Sequence, residues 1–332
     1  MNNSSVTDTY KDEGLFCRDL PSKPLPHVGT ILVTGASGHV GGRLIPELLA
    51  RGYKVRVMVR GRKIAYKSRW TGVEIVIADA LNEEHLKTAL DGIDTAYYLI
   101  HSMRLGSKSF EVADIRASAN FRKVADEKHV KRIIYMGGLG DIRSSLSSHL
   151  CNRIEVAREL KKGKTPVTVL RAAVIVGKGS ASYEIMQYLV KRLLVIPFPR
   201  QARNKCQPVA ISDVIKYLVG VLEVPETAGK DFDIGGKDIL TYVEMLKVLA
   251  SLLDKRIIFV PFPFLNIRLY TYLAGLLTPI PNSITRCLVE GLENEAICND
   301  ESIKKCLPFE PMSYKEAVLR TIPPERQDNV PC

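Results

Sequence analysis

The sequence predicts an α/β fold: a doubly wound parallel sheet joined to a smaller, mainly helical C-terminal region. Three observations carry this expectation. Short apolar runs alternate with stretches of helical periodicity through the first 180 residues. A glycine-rich turn joins the first such run to the first helical stretch. After Gly179 helical patterns take over, interrupted by a short strand pattern at Asp231–Ile234. Strict alternation implies right-handed strand–helix–strand units, and hence a parallel sheet covered on both faces.

Taken in order, Thr30–Thr34 (TILVT) is a short apolar run ending in a glycine turn, as a buried parallel strand should. Val40, Leu44 and Leu48 then recur at helical spacing, widened by Ile45 and Leu49, until Gly52 stops the helix. Pro46 conflicts with this pattern, because a proline inside a helix costs roughly 3 kcal/mol or a kink. Lys54–Arg60, Val73–Ala78, Thr95–Ile100, Arg132–Met136 and Val167–Val176 read as further strands. Glu83–Leu90, Phe110–Lys128 and His149–Lys162 read as the helices between them.

Beyond Gly179, Ser182–Leu194 and Ile211–Leu222 are helical in pattern, the second capped by Ser212 or Asp213. Asp231–Ile234 is placed to return to the sheet. Thr241–Leu253 opens with Thr241 and Glu244 in capping-box spacing. Ile257–Ile280 is the most apolar long stretch, but Pro261, Pro263, Pro279 and Arg268 leave only about 15 residues for continuous helix, too few to span a bilayer. Leu265, Leu269, Leu273 and Leu276 form one face of that segment. A buried or pocket-lining helix is expected there, with a membrane-surface or dimer contact as the alternative.

These patterns divide the chain into a disordered leader (1–28), a nucleotide-binding type of sheet domain (29–180), a C-terminal region (181–322) whose residues 231–236 rejoin the sheet, and a loose tail (323–332). A composition of 46% hydrophobic and 25% charged residues over 332 positions supports a substantial core. The seven cysteines are odd in number and form no CxxC pair, so neither a disulfide framework nor a zinc knuckle is indicated, and a reducing cytoplasm fits. The histidines lack metal-binding helical spacing. The net charge of +11 is spread along the chain without interleaved aromatics, which argues against nucleic acid as a partner. No transmembrane segment is expected. A homo-oligomer is compatible with the pattern.

The strongest chemical signal is Gly35-Ala36-Ser37-Gly38-His39-Val40-Gly41, directly after a strand and opening a helix. Glycine permits the tight turn, the close approach of backbone to phosphate, and packing of helix on strand. The helix start then offers free N–H groups and a positive dipole to a pyrophosphate. The end of the second strand chooses between dinucleotides. An acid there would bond ribose hydroxyls and favour NAD; Arg60 stands there instead, followed by Arg62 and Lys63. From Arg51 to Arg69 there are eight basic residues and no acid. An arginine fork suits a 2′-phosphate, so NADP(H) is preferred over NAD(H), with a solvated basic face as the alternative. Asp79 and Ala80 follow the third strand, where the carboxylate can accept from an adenine amino group, or be simply a loop acid or a cap for the helix Glu83–Leu90. Leu99, Ile100 and His101 end the fourth strand at the edge where such a cofactor runs, and Ser102 and Met103 follow them.

AYYLIHSM (96–103), IIYMGGLG (133–140), HLCNRIEVARELKK (149–162), LRAAVIVGKGSAS (170–182), QPVAISDV (207–214) and FDIGG (232–236) extend the pattern. With the glycine motif, they resemble the atypical short-chain dehydrogenase/reductase superfamily, in particular its NmrA-like, NAD(P)H-binding branch, from about Thr30 to Ser313. The resemblance implies a Rossmann sheet, a cofactor held by the glycines and Arg60, and a C-terminal part covering a small-molecule substrate. The implied function is an NADP(H)-dependent oxidoreductase exchanging hydride with a small organic substrate. The alternative is a non-catalytic NADP(H)-binding redox sensor or assembly subunit.

One departure matters. The superfamily's catalytic Tyr-x-x-x-Lys occurs nowhere in the chain. His149 and Arg153 stand in its place, and Gly137 and Gly138 occupy the usual serine region. Histidine can move protons unaided because its ordinary pKa is about 6.5, and Arg153 can hold a ribose or a substrate anion. Alternatively both merely form a helix surface. Arg200, Arg203 and Lys205 make a basic loop that would suit an acidic substrate, or a solvated loop; the apolar C-terminal region suits an apolar one.

Overall fold

The computed structural model describes residues 14–61, 69–101, 107–140, 147–262, 270–272, 275 and 277–322, with backbone alone over 107–111. The first half alternates as the pattern requires: β1 (Thr30–Val33), α1 (His39–Ala50), β2 (Val55–Val59), β3 (Val73–Ile77), α2 (Glu83–Ala89), β4 (Ile93–Tyr98), α3 (Ser107–Glu127), β5 (Arg132–Gly138), α4 (Ser148–Lys161) and β6 (Val167–Ala172). The second half contains β7 (Ile175–Val176), α5 (Ala181–Arg192), β8 (Val195–Phe198), β9 (Lys205–Cys206), β10 (Val209–Ala210) and α6 (Ile211–Glu223). It continues with β11 (Asp231–Ile234), β12 (Leu240–Thr241), α7 (Tyr242–Leu252), β13 (Ile258–Pro261), α8 (Asn282–Glu290), α9 (Ile303–Cys306) and α10 (Tyr314–Leu319).

Seven strands form one sheet in the order β11-β6-β5-β4-β1-β2-β3, every pairing parallel. Strand alternation explains the two cores. Ile31 and Val33 of β1 face α1 and α6, through Leu44, Ile45, Leu48, Val214 and Leu218. Leu32 faces the other way, toward Leu86 of α2, Phe121 of α3 and Leu160 of α4. The chain runs outward from β1 to β3, then returns to place β4 on the opposite side of β1. That reversal opens a crevice at the carboxyl ends of β1 and β4, where ligands of such sheets bind.

Asp231–Ile234 rejoins the sheet beside β6, as its pattern suggests. Four features differ from the sequence expectations. The run Val167–Val176 is two strands, because β5 ends at Gly138 and β11 at Ile234, both opposite Ala172. With no neighbour left, the chain bends away, and β7 pairs with β10 instead. The cap of α6 is neither Ser212 nor Asp213; both are buried in its first turn, where Asp213 accepts the Met312 N–H at 2.8 Å. Ile258–Pro261, within the apolar stretch, is a strand parallel to β8 rather than part of a helix. Leu265, Leu269, Leu273 and Leu276 lie outside the described residues.

The fourth difference is the leader. Residues 14–28 are anchored at particular points: Cys17 and Leu20 join the core beside α1. The Phe16 and Cys17 N–H groups donate to the Glu47 carboxylate at 2.5 and 3.2 Å. Two apolar anchors and a buried acceptor hold a segment whose sequence shows no periodicity. Residues 1–13 and the expected tail 323–332 lie outside the description. Among the described residues, no helix is long and apolar enough to cross a membrane.

Candidate functional site

The glycine turn is built by sterics. Gly35 sits at φ +60, and a Cβ there would lie 2.4 Å from the Leu99 carbonyl oxygen. A Cβ on Gly41 would lie 2.6 Å from the Gly35 carbonyl oxygen. Thr34 ties the ends of β1 and β4 together: its N–H and Oγ1 donate to the Tyr97 carbonyl at 3.0 and 2.9 Å, and Oγ1 accepts from the Leu99 N–H at 3.0 Å. At the start of α1, Gly38 provides no side-chain cap. The first-turn N–H groups of His39, Val40 and Gly41 therefore have no acceptor within the helix. A glycine cradle too tight for side chains, with uncapped donors above it, fits an anionic group such as a dinucleotide pyrophosphate.

A cavity of about 910 Å³ opens above this turn. Gly35, Ser37, Gly38, His39, Val40 and Gly41 line its floor. Arg60, Asp79 and Ala80 line one end, and Leu99, Ile100 and His101 the wall along β4. His149 and Arg153 line it as well, so both face the interior of the crevice rather than an outer helix surface. Arg60 is exposed directly after β2 and lines the cavity. Arg69 also reaches the cavity, stacked 4.9 Å from the Trp70 ring. The Asp79 carboxylate accepts the Leu81 N–H at 3.0 Å within its own loop, whereas the cap of α2 is Asn82. Arg62, Lys63, Ser102 and Met103 lie outside the described residues.

His39 is tied down beneath the turn: Arg43 Nη1 lies 2.9 Å from its Nδ1, and Arg43 Nη2 donates to the Lys178 carbonyl at 2.8 Å. Burial, reinforced by the Arg43 charge, drops the His39 imidazole to about 3. It is uncharged at neutral pH.

Further along, a polar cluster forms between β4, α3 and α4. His101 Nδ1 lies 3.2 Å from Asp114 Oδ2, which also accepts from Asn152 Nδ2 at 3.2 Å. The rings of His101 and His149 stand 4.9 Å apart. His149 Nδ1 is buried and has no hydrogen-bond partner among the described residues. Burial, then the neighbouring His101 and Arg153 charges, hold His149 down to about 3. Burial likewise lowers His101. Both shifts favour the uncharged imidazole at neutral pH. Arg153 lies over the Tyr135 ring at 4.8 Å, and the Tyr135 hydroxyl, pushed up to about 12 by burial, donates to the Arg153 carbonyl at 3.1 Å. Gly138 makes this approach possible: a Cβ there would meet Leu150 Cδ2 at 2.9 Å.

The structure does not bring the basic loop into the site. Arg200, Arg203 and Lys205 are exposed and do not line the cavity; only Ala202 of that loop does. The lining that sequence reasoning missed is mostly apolar, and includes Ile185, Met186, Leu189, Tyr242 and Leu246. These come from helices distant in sequence and carry no local motif. Asp114 was missed for a similar reason: one acid in a helical pattern looks like a surface residue, yet it is 3% exposed.

Comparison with known proteins agrees with this architecture. The photosystem II assembly factor Ycf39 of Trieres chinensis is 24% identical over 211 residues, covering 63% of this chain and 64% of that protein. The mitochondrial NADH dehydrogenase (ubiquinone) 1 alpha subcomplex subunit 9 of Arabidopsis thaliana is 25% identical over 241 residues, covering 70% and 60% respectively. The chain thus spans slightly less than two thirds of the length of these relatives. The crystal structure of the Citrobacter sp. triphenylmethane reductase complexed with NADP(H) superposes with a TM-score of 0.71 at 20% identity, covering 88% of this chain and 100% of that one. That likeness shows a Rossmann-type fold. The sequence matches the NmrA-like family over residues 27–295, the greater part of the chain, and the protein belongs to that family.

Proposed function

We propose that the protein is an NADP(H)-dependent oxidoreductase acting on a small organic substrate. One observation carries the reading: a single cavity runs from the glycine turn and Arg60, past His149 and Arg153, into an apolar chamber formed by the C-terminal region. Such continuity would allow a dinucleotide and a second ligand to lie side by side. The glycine turn and the start of α1 would hold the pyrophosphate, and Arg60 the 2′-phosphate that distinguishes NADP from NAD. Asp79 and Ala80 would border the adenine.

NADPH held there would supply the hydride for reduction of a carbonyl or activated double bond, being oxidised to NADP⁺, with a proton from solvent completing the reduction. The chain's own residues then have distinct tasks. Arg153 stabilises negative charge developing on the substrate oxygen. His149, held neutral, hydrogen-bonds and orients the same group, and the proton comes from water. The C-terminal chamber excludes bulk solvent from the rest of the substrate.

A second reading has its own support. A non-catalytic NADP(H)-binding sensor or assembly subunit accords with the missing Tyr-x-x-x-Lys pair, with histidines buried in neutral form, and with the relatives named as an assembly factor and a complex subunit.

Calorimetric titration with NADPH and NADH, followed by a screen of NADPH oxidation against quinones, enones and ketones, separates the readings. Arg60→Asp should weaken NADPH binding by about 10- to 150-fold, the worth of a charge-assisted bond, and NADH binding little. Equal affinity of the unmodified protein for both cofactors would overturn the NADP preference. Tight NADPH binding with no substrate oxidising it would favour the sensor.

A further inference from the structure

The cavity is chemically divided. Its charged lining side chains, Arg60, Arg69, Asp79 and Arg153, all come from residues up to position 153. Among the described residues, no lining side chain from position 180 onward carries a charge. That chamber is walled instead by Ile185, Met186, Leu189, Tyr242, Leu246 and Leu288. The other polar side chains in the wall are neutral hydroxyls and a thiol, and two of the hydroxyls are committed within the protein. Ser180 Oγ donates to the Ile175 carbonyl at 2.6 Å, and the Tyr242 hydroxyl pairs with the Cys206 thiol. Lys178 and Lys191, from the segments that border the chamber in sequence, line a separate cleft of about 210 Å³.

A charge buried without a partner is expensive, and a diphosphate or carboxylate in this chamber would meet none among the described residues. Apolar surface placed there gains in proportion to the area removed from water. The polar groups that face a ligand gather at the throat, where His149 and Arg153 stand beside the end of β4. We propose that the substrate is an uncharged, largely apolar molecule carrying its one reactive polar group at the end that meets His149 and Arg153. This deepens the oxidoreductase reading and rests on it for the word substrate, but not for the binding chemistry.

The test is binding of a matched pair to the NADPH-loaded protein, read by calorimetry without any need for turnover. The probes are the enone 4-phenyl-3-buten-2-one, its para-carboxylate, and UDP-glucose as a nucleoside diphosphate sugar. The neutral enone should bind at least about 30-fold more tightly than its carboxylate, and UDP-glucose should not bind. Leu288→Lys, which places an ammonium group in the chamber, should narrow or reverse that preference while leaving NADPH affinity unchanged. If that variant does not melt cooperatively, Ser182→Lys, at a partly exposed lining position, serves the same purpose. Equal or tighter binding of the carboxylate, binding of UDP-glucose, or no binding of the neutral enone would overturn the proposal. Tight neutral binding without NADPH oxidation would keep it and defeat the oxidoreductase reading. Turnover of a carboxylate substrate would do the reverse.

Discussion

His39 and His149 are bases that the fold keeps uncharged, and that choice is visible as a pH dependence of stability. Both are held near about 3 chiefly by burial, against an ordinary value of 6.5. A folded-state value below the unfolded one means that only the unfolded chain takes up the proton in between. Stability is therefore full above about pH 6.5 and falls as pH drops toward 3, by up to about 1.4 kcal/mol per pH unit for each such histidine. Urea titrations at pH 7, 6 and 5 should show this decline, and His149→Gln should make it shallower. Parallel curves for the variant and the unmodified protein would mean that His149 titrates alike in both states. Gly38 offers a second residue-scale test. Its φ of −77 is open to any residue, so Gly38→Val need not strain the backbone. The added Cβ would press on the Gly35 carbonyl oxygen at 3.0 Å, and its methyl groups would fill space above the turn. The variant should fold and lose affinity for both dinucleotides; normal binding would place the cofactor elsewhere.

At the level of elements, local chemistry was legible where one short stretch determines it. The capping box of α7 is an example: Thr241 Oγ1 accepts the Glu244 N–H at 3.1 Å, and Glu244 returns the bond to the Thr241 N–H at 2.7 Å. Thr241→Ala should cost about 1 kcal/mol in chemical denaturation, with no effect on NADPH affinity. An unchanged midpoint would show that tertiary packing alone sets this helix start. The alternating strands and the glycine turn were equally readable, because period and spacing are local properties. Pro46 shows the limit: α1 runs through it unbroken from His39 to Ala50, with the proline on the exposed side. Packing of Leu44, Ile45 and Leu48 outweighs one missing backbone bond. The division between β6 and β7 was not legible, since it depends on where two other strands end. Nor was the pairing of His101 with Asp114, which joins a strand end to a helix through tertiary placement alone.

Across the whole molecule, the segment before β1 is where reading by composition went furthest astray. Its prolines and lack of periodicity describe a chain without secondary structure, and that is what residues 14–28 are. Absence of secondary structure is not absence of packing. Glu47 of α1 receives two of its N–H groups. Glu223 at the end of α6 accepts from Ser22 Oγ at 2.6 Å and from the Arg51 guanidinium at 2.5 and 2.6 Å. Arg51 Nη2 in turn donates to the Ser22 carbonyl at 2.6 Å, so the strap, α1 and α6 are joined through one buried carboxylate. Deleting residues 1–24 would expose the core beneath Cys17 and Leu20 and leave Glu47 buried without those donors. The loss should be about 2–5 kcal/mol, as other broken buried networks cost. Dinucleotide affinity should nevertheless survive in the folded fraction. Arg51 lies 12 residues along α1 from His39, roughly 18 Å from the glycine turn at the helical rise per residue. Urea denaturation and NADPH titration of the truncated chain therefore make separable measurements. An unchanged denaturation midpoint would return the segment to the status of a mobile leader, and lost affinity with an intact fold would mean that the strap reaches the site.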